Sequence, residues 1–220
     1  MKTKIRTRRK PERKAEVLSA FVEYLLKTGM LDLSLRPAAA ALRTSPRMLV
    51  YYFGSKERLL LDAIAEVRTR ERARFARDIR RRRFGGSVAR DVWVMWRWFS
   101  GKPREPYLRL FYELYAHAAS RPAKFRRFVD LISEGYLQLM EEGFVSWGFA
   151  RPEARAQATL HLATFRGLLL DLLTTGERAR VDAAAKVLAA NLDRALVQRT
   201  PALNRDHPVP PSLGPTPTPR

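Results

Sequence analysis

Residues 34–60 read SLRPAAAALRTSPRMLVYYFGSKERLL. Ser34 stands where an N-cap belongs for a short helix over about 35–42, with Pro37 in the first turn, where proline is tolerated. Ser45 caps a second short helix that begins at Pro46, a favoured first position, and ends near Phe53 and Gly54. The corner between them is three residues, Arg43, Thr44 and Ser45. The run from Ala38 to Ala41 is small enough for close helix packing. The second helix carries Leu49 and Phe53 on one side and Arg47, Tyr51 and Tyr52 on the other. Two helices of about two turns at a tight corner make a helix-turn-helix. An exposed, basic, tyrosine-bearing short helix suits the DNA major groove: arginine pairs with guanine edges, and tyrosine hydroxyls reach phosphates.

Outward from this stretch the chain reads as helix. Upstream, Val17, Leu18, Phe21, Val22, Leu25 and Leu26 form one stripe of a helix over about 13–28, stopped by Gly29. Downstream, Ser55 caps a long helix from Lys56 to about Arg82. Further helices are expected over 88–99, 105–119, 122–147, 152–174 and 178–198, broken at Gly101/Pro103, Pro122, Gly148/Pro152 and Gly176. No segment shows strand alternation bounded by hairpin signals. The expectation is an all-α chain of about nine helices, divided into a basic arm (1–10), a helix-turn-helix domain (11–60), a larger helical domain (61–199) and a tail (200–220). The arm holds Lys2, Lys4, Arg6, Arg8, Arg9 and Lys10. The tail has seven prolines, from Pro201 to Pro219, and no helical pattern.

The net charge is +20 and unevenly placed. Residues 1–83 hold 23 Lys and Arg against 9 Asp and Glu, whereas residues 84–220 hold 19 against 13. Such a field points to a polyanion, nucleic acid or an anionic membrane. Nine of those arginines lie between Arg68 and Arg83, as a flank for DNA or as a solvated helix face. There is no cysteine, which removes disulfides, thiolate metal sites and a cysteine nucleophile, and fits a reducing compartment. No leader segment and no apolar run of membrane-spanning length stands out, so the expected location is the cytoplasm. His117, His161 and His207 are the only histidines, and no Gly-rich phosphate loop, HExxH or GxSxG occurs. An enzyme, a metal or a cofactor is not expected. The competing reading is a basic helical protein that binds DNA or anionic membrane without specificity and without an effector.

The residues from 13 to 61 resemble the DNA-binding module of the tetracycline-repressor (TetR) family. The resemblance is carried by Ser45, Leu49, Tyr51, Phe53, Ser55, Lys56, Glu57 and Leu60, preceded by Val17, Leu18, Phe21, Gly29 and the step from Leu35-Arg36 into Ala39. The chain departs from the family twice: Arg43 stands at a corner usually held by glycine, and Val50 stands where a tyrosine is usual. The resemblance implies a homodimeric regulator on a palindromic double-stranded DNA operator, typically a repressor released by a small molecule. It implies that Arg47, Met48, Tyr51 and Tyr52 face DNA from the recognition helix and that Ser34 and Arg36 contact it from the preceding helix. Lys56 would hold a phosphate, Arg43 and Ser45 would lie beside the DNA at the corner, and the basic arm would add attraction or enter the minor groove. Tyr52 also fits a core position, and Lys56 an ordinary surface one.

Beyond residue 88 the chain is rich in aromatics, with stripes such as Val92, Met95, Trp96, Phe99 and Phe111, Leu114, Tyr115. Stripes of this kind form cores. In a ligand-responsive regulator they also line an apolar pocket, for which Val92, Met95, Trp96, Phe99, Phe111, Tyr115, Gln138 and Met140 are the candidates, with Glu113 and His117 as further polar groups. Near the end, Leu160, Ala163, Gly167, Leu170, Leu188 and Leu192 put small and apolar residues at helical spacing. They either close the core of one subunit or, as the resemblance implies, pair two subunits through a four-helix bundle.

Overall fold

Local signals set the helix ends, and long-range burial sets which face of each helix turns inward. In the computed structural model, residues 10–30, 33–80 and 87–199 are described. The arm up to residue 9, Arg81 to Arg83, the Phe84-Gly85-Gly86 break and the tail over 200–220 lie outside the described residues. Those described form α1 (Lys10–Thr28), α2 (Leu35–Ala41), α3 (Pro46–Phe53), α4 (Lys56–Arg80), α5 (Val88–Phe99), a 3-10 turn (Lys102–Arg104), α6 (Glu105–Ser120), α7 (Pro122–Ser146), α8 (Arg151–Thr175) and α9 (Arg178–Arg199). No strand occurs among the described residues. Helix ends agree with the sequence reading to within a residue or two, except that α1 starts at Lys10, three residues earlier than expected.

The chain divides into two compact units, Met1–Glu71 with Arg109–Leu131, and Arg72–Leu108 with Ile132–Arg220. The first unit runs past residue 60 into α4 and takes in most of α6 and the start of α7.

In the first unit, α1 buries Val17, Phe21, Val22 and Leu25, four of the six residues of the expected stripe. Ala38 and Ala39 of α2 and Leu49 and Phe53 of α3 are buried, and α2 packs on both α1 and α3. Leu60, Ala63, Ile64 and Val67 continue the pattern along α4 at spacings of three and four. Met30, Leu59, Leu110, Phe111 and Leu114, and Phe125 and Phe128 of α7, are buried as well.

In the second unit, α5 packs against α9, and α9 against α8. One apolar cluster joins Val88, Phe144, Phe149, Ala154, Ala158, Leu192 and Leu196, with Val92 and Met140 packed against it. Leu192, a candidate for pairing subunits, therefore faces the core of its own chain. Val181, Ala185, Ala189, Leu192 and Leu196 are all buried and form the inward stripe of α9. A second group is aromatic: the rings of Trp96 and Phe99 both meet Phe165, and Phe99 also meets Tyr136 and Phe75.

The indole N–H groups of Trp96 and Trp98 have partners. Trp96 has no exposed surface, and its Nε1 donates to Asp182 Oδ1 at 2.6 Å. The Trp98 Nε1 donates to Asp78 at 2.9 Å. The buried Arg104 guanidinium lies 4.1 Å from the Trp98 ring centroid and 3.3 Å from the same Asp78 carboxylate. A planar, weakly hydrated cation stacked on indole and paired to a carboxylate is a tolerable way to bury charge. Arg178 donates to both the hydroxyl and the carbonyl of Ser100, tying the start of α9 to the end of α5. At the α8–α9 corner, Arg180 grips both oxygens of Asp171 at 2.8 Å, and its hydrogen bond holds the Asp171 carboxyl below its ordinary range.

Replacing Asp182 by alanine strands the buried Trp96 N–H, so the variant should lose about 2 kcal/mol. Urea unfolding will show this as a lower midpoint with an unchanged slope, and Asp182→Asn, which keeps an acceptor, should lose less.

Candidate nucleic-acid interface

Helix α3 is built locally as expected. Ser45 sits in the extended region (φ −116°, ψ 154°) and its Oγ accepts from Met48 N–H at 3.2 Å. Pro46 occupies the first turn. With Leu49 and Phe53 buried, the opposite face must point outward: Arg47 is exposed, Val50 is 42% exposed and Tyr51 58%. Met48 and Tyr52 lie at the margin, half-buried. Tyr52 meets Tyr51 edge-on at 5.3 Å and Phe53 at 6.5 Å, so it bridges the outer face and the core and serves neither alone.

The corner before α3 has a specific solution. Helix α2 ends at Ala41, and Arg43 adopts φ +51°, the only positive φ of a non-glycine residue among those described. The Arg43 N–H donates to Ala40 at 3.1 Å and the Thr44 N–H to Ala39 at 2.9 Å. This pair of bonds is the Schellman arrangement, with Arg43 at the position glycine favours. The corner thus places the left-handed conformation on a residue with a Cβ. The arginine side chain is exposed at that corner.

Ser34 behaves differently from Ser45. Its backbone is extended (φ −125°, ψ 154°), as an N-cap requires, but its side chain makes no capping bond. A capping hydroxyl accepts from the second or third helical N–H, and the third residue of α2 is Pro37, which has none. Ser34 and Arg36 are both exposed.

Lys56 opens α4 beside Ser55, whose Oγ accepts from the Arg58 N–H at 3.0 Å. The half-buried Lys56 ammonium donates to the Leu33 carbonyl. This ties α4 to the segment before α2 and leaves further donors on the same nitrogen.

Two lysines of α1 lie against rings of α3, Lys10 on its outward face and Lys14 on its buried one, where it also reaches Asp62 at 3.9 Å. Lys10 Nζ lies 4.4 Å from the Tyr51 ring centroid, and Lys14 Nζ lies 5.1 Å from that of Phe53. Their spacing of four puts both on one side of α1, which is visible in sequence. That this side comes beside α3 is not. Along α4, Arg70 turns to its own protein, reaching Glu23 at 2.7 Å, Glu66 at 2.8 Å and Ser19 at 2.9 Å.

The eight pocket candidates are divided between the two units. Val92, Met95, Trp96, Phe99, Gln138 and Met140 belong to the second unit, and Phe111 and Tyr115 to the first. The Phe111 and Tyr115 rings are 4.6 Å apart. Gln138 is exposed, on the outer side of α7. The carboxylate of Glu113 is bound to the backbone N–H of Met30. His117 stacks on Phe125. Of the pairing candidates, Leu160, Ala163, Gly167 and Leu170 are exposed along one face of α8, and Leu188 is half-buried.

No protein-family model and no curated protein matches the sequence. Solved structures match the fold. A protein classed as a transcriptional regulator, from Pseudomonas aeruginosa PAO1, aligns with a TM-score of 0.64 at 18% identity over 90% of this chain and 99% of its own. One classed with the TetR-family transcriptional regulators, from Mesorhizobium loti MAFF303099, aligns at 0.63 and 14% identity over 87% and 98%. The multidrug binding protein EbrR in complex with proflavin aligns at 0.59 and 22% identity over 81% and 98%. At these identities the likeness is one of fold.

The left-handed Arg43 makes a sharp prediction. Arg43→Gly removes the Cβ clash and should raise unfolding stability by about 1 kcal/mol, the penalty of the left-handed region less the entropy of a new glycine. Equilibrium denaturation measures it, and a loss of stability would mean that the arginine side chain holds the corner.

Proposed function

We propose that this chain, which has the fold of the TetR-family regulators, is a sequence-specific DNA-binding transcriptional repressor that works as a homodimer and responds to a small, largely apolar effector. The observation that carries the reading is the outward face of α3. It is capped at its start, anchored by two buried side chains, and presents Arg47, Val50 and Tyr51 in the basic third of the chain. Arg47 suits a guanine edge, Val50 a thymine methyl in place of the tyrosine contact, and Tyr51 a phosphate. Ser34, Arg36, Arg43, Ser45, Met48, Tyr52 and Lys56 border that face, and Lys10 extends it onto α1. The basic field and the absence of any membrane-length apolar helix among the described residues support DNA in the cytoplasm as the partner. The fold likeness to regulators supports a binding protein, with no enzymatic activity.

Pairing is supported by α8. Leu160, Ala163, Gly167 and Leu170 repeat at three and four residues, and Leu160 is 60% and Leu170 41% exposed. Gly167 lies in mid-helix, where glycine costs about 1 kcal/mol relative to alanine. Nothing lies within 4 Å of where its Cβ would be. A neighbouring subunit's helix gives that glycine a use, by letting two backbones approach. Val187 of α9 is a further exposed apolar side chain, 58% exposed. The aromatic group around Trp96, Phe99, Tyr136 and Phe165 supports an apolar effector, as does the fold likeness to a protein solved with proflavin. An effector would act by binding better to a conformation whose recognition helices are misplaced.

Selection of bound sequences from random duplex DNA should return a palindrome whose half-sites lie about one helical turn, roughly 34–36 Å, apart. Arg47→Ala should then relax the preference at one base position per half-site and cost about 1–3 kcal/mol. A uniform loss over all sequences would limit Arg47 to phosphate. Leu160→Glu buries a carboxylate in the proposed pairing surface and should give a monomer in analytical ultracentrifugation; a dimer of unchanged strength would remove α8 from the interface.

A further inference from the structure

The corner between α1 and α2 is held by side chains from two later helices. Gly29 (φ +75°) turns the chain out of α1, and the next N–H, of the buried Met30, donates to Glu113 Oε2 at 2.5 Å. A Cβ at position 29 would stand 2.5 Å from Oε1 and 2.8 Å from Oε2. The carboxylate therefore lies against the bare face of the glycine. At the other end, the Leu33 N–H donates back to the Met30 carbonyl at 3.1 Å, and the Leu33 carbonyl accepts from Lys56. An anion from α6 thus holds a backbone donor, and a cation from α4 holds a backbone acceptor. Helices α2 and α3 follow directly from this corner.

We propose that Glu113 is a positioning residue for DNA recognition: by clasping the Gly29-Met30 corner, its carboxylate sets where the recognition helix α3 sits. The inference rests on the DNA-binding reading above. A carboxylate accepting a backbone N–H is a charge-assisted bond, and its removal takes from the buried Met30 its backbone donor's partner. The two parts of DNA affinity respond differently to a shifted helix. Base-edge hydrogen bonds fail within a few tenths of an ångström of misplacement, while attraction to phosphates is long-ranged and tolerant. Loss of the clasp therefore shows in specific binding first.

The test compares wild type with Glu113→Ala, Glu113→Gln and Glu113→Asp, each as the full chain. The DNA probes are the duplex that the wild type selects and an unrelated duplex at low salt, and amide hydrogen exchange is followed in parallel. In Glu113→Ala, operator affinity should fall at least about tenfold, the size of one charge-assisted hydrogen bond. Affinity for the unrelated duplex should stay within about twofold. Exchange should quicken over Leu35–Ala41 and Pro46–Phe53 and stay unchanged in α9. The glutamine variant keeps a carbonyl oxygen at the same reach and should recover most of the operator affinity. The aspartate variant keeps the charge but is one methylene short, and should behave like alanine. If the alanine variant does not fold, the glutamine and aspartate pair carries the comparison. Wild-type operator affinity and exchange in the alanine or aspartate variant overturn the proposal, as does a glutamine variant no better than aspartate. If the wild type selects no sequence, the DNA-binding reading fails, and exchange in α2 and α3 alone decides whether Glu113 holds the corner.

Discussion

The eight residues of α3 cannot hold a helix on their own. Isolated helices need about 12–15 residues before propagation outweighs nucleation, so this one exists because of what surrounds it. Ser45 supplies an acceptor for its first orphan donors, and the Schellman turn at Arg43 ends the preceding helix at the right place. Burial of Leu49 and Phe53 stabilises the rest. Those two side chains decide the inward face, and so decide by exclusion that Arg47, Val50 and Tyr51 face outward. The candidate interface is a consequence of how a short helix is kept folded.

The same dependence extends to the helices around it. α2 is seven residues long, and its alanines bring it close to its neighbours without adding much apolar area. The corner before it relies on Glu113 and Lys56, and Lys10 and Lys14 place their charges over the rings of Tyr51 and Phe53. Phe21, Val22, Leu25, Leu49, Leu59 and Leu114 fill the core of this module, and single well-placed polar contacts fix its corners. The second unit is held differently. Its aromatic group is large, and its polar contacts, Trp96 with Asp182 and Trp98 with Asp78 and Arg104, satisfy groups that the burial of indoles would otherwise strand.

Two stripes that look alike in sequence separate in the structure. Leu160, Ala163, Gly167 and Leu170 on α8 and Val181, Ala185, Ala189, Leu192 and Leu196 on α9 share composition and spacing. The first set is exposed and the second buried. Leu192 thus belongs to the core and Leu160 to the surface, although both fit a pairing helix when read as letters. Trp96 and Gln138 show the same limit among the pocket candidates, one wholly enclosed and bonded to Asp182, the other turned out.

The sequence by itself determined the helical class, nearly every helix boundary and the helix-turn-helix with its exposed basic face. Caps, prolines, glycines and helical periodicity act over a few residues and are written in a few residues. Even the odd arginine at the corner could be seen in advance, though not that it would take the left-handed conformation. Tertiary structure alone decided that Glu113 clasps Met30 across 83 positions and that Asp182 meets Trp96 across 86. It also decided that Lys10 lies over Tyr51 and which face of α8 stays uncovered. These depend on which helices pack together, and a helical repeat states that one face is apolar without stating what will cover it.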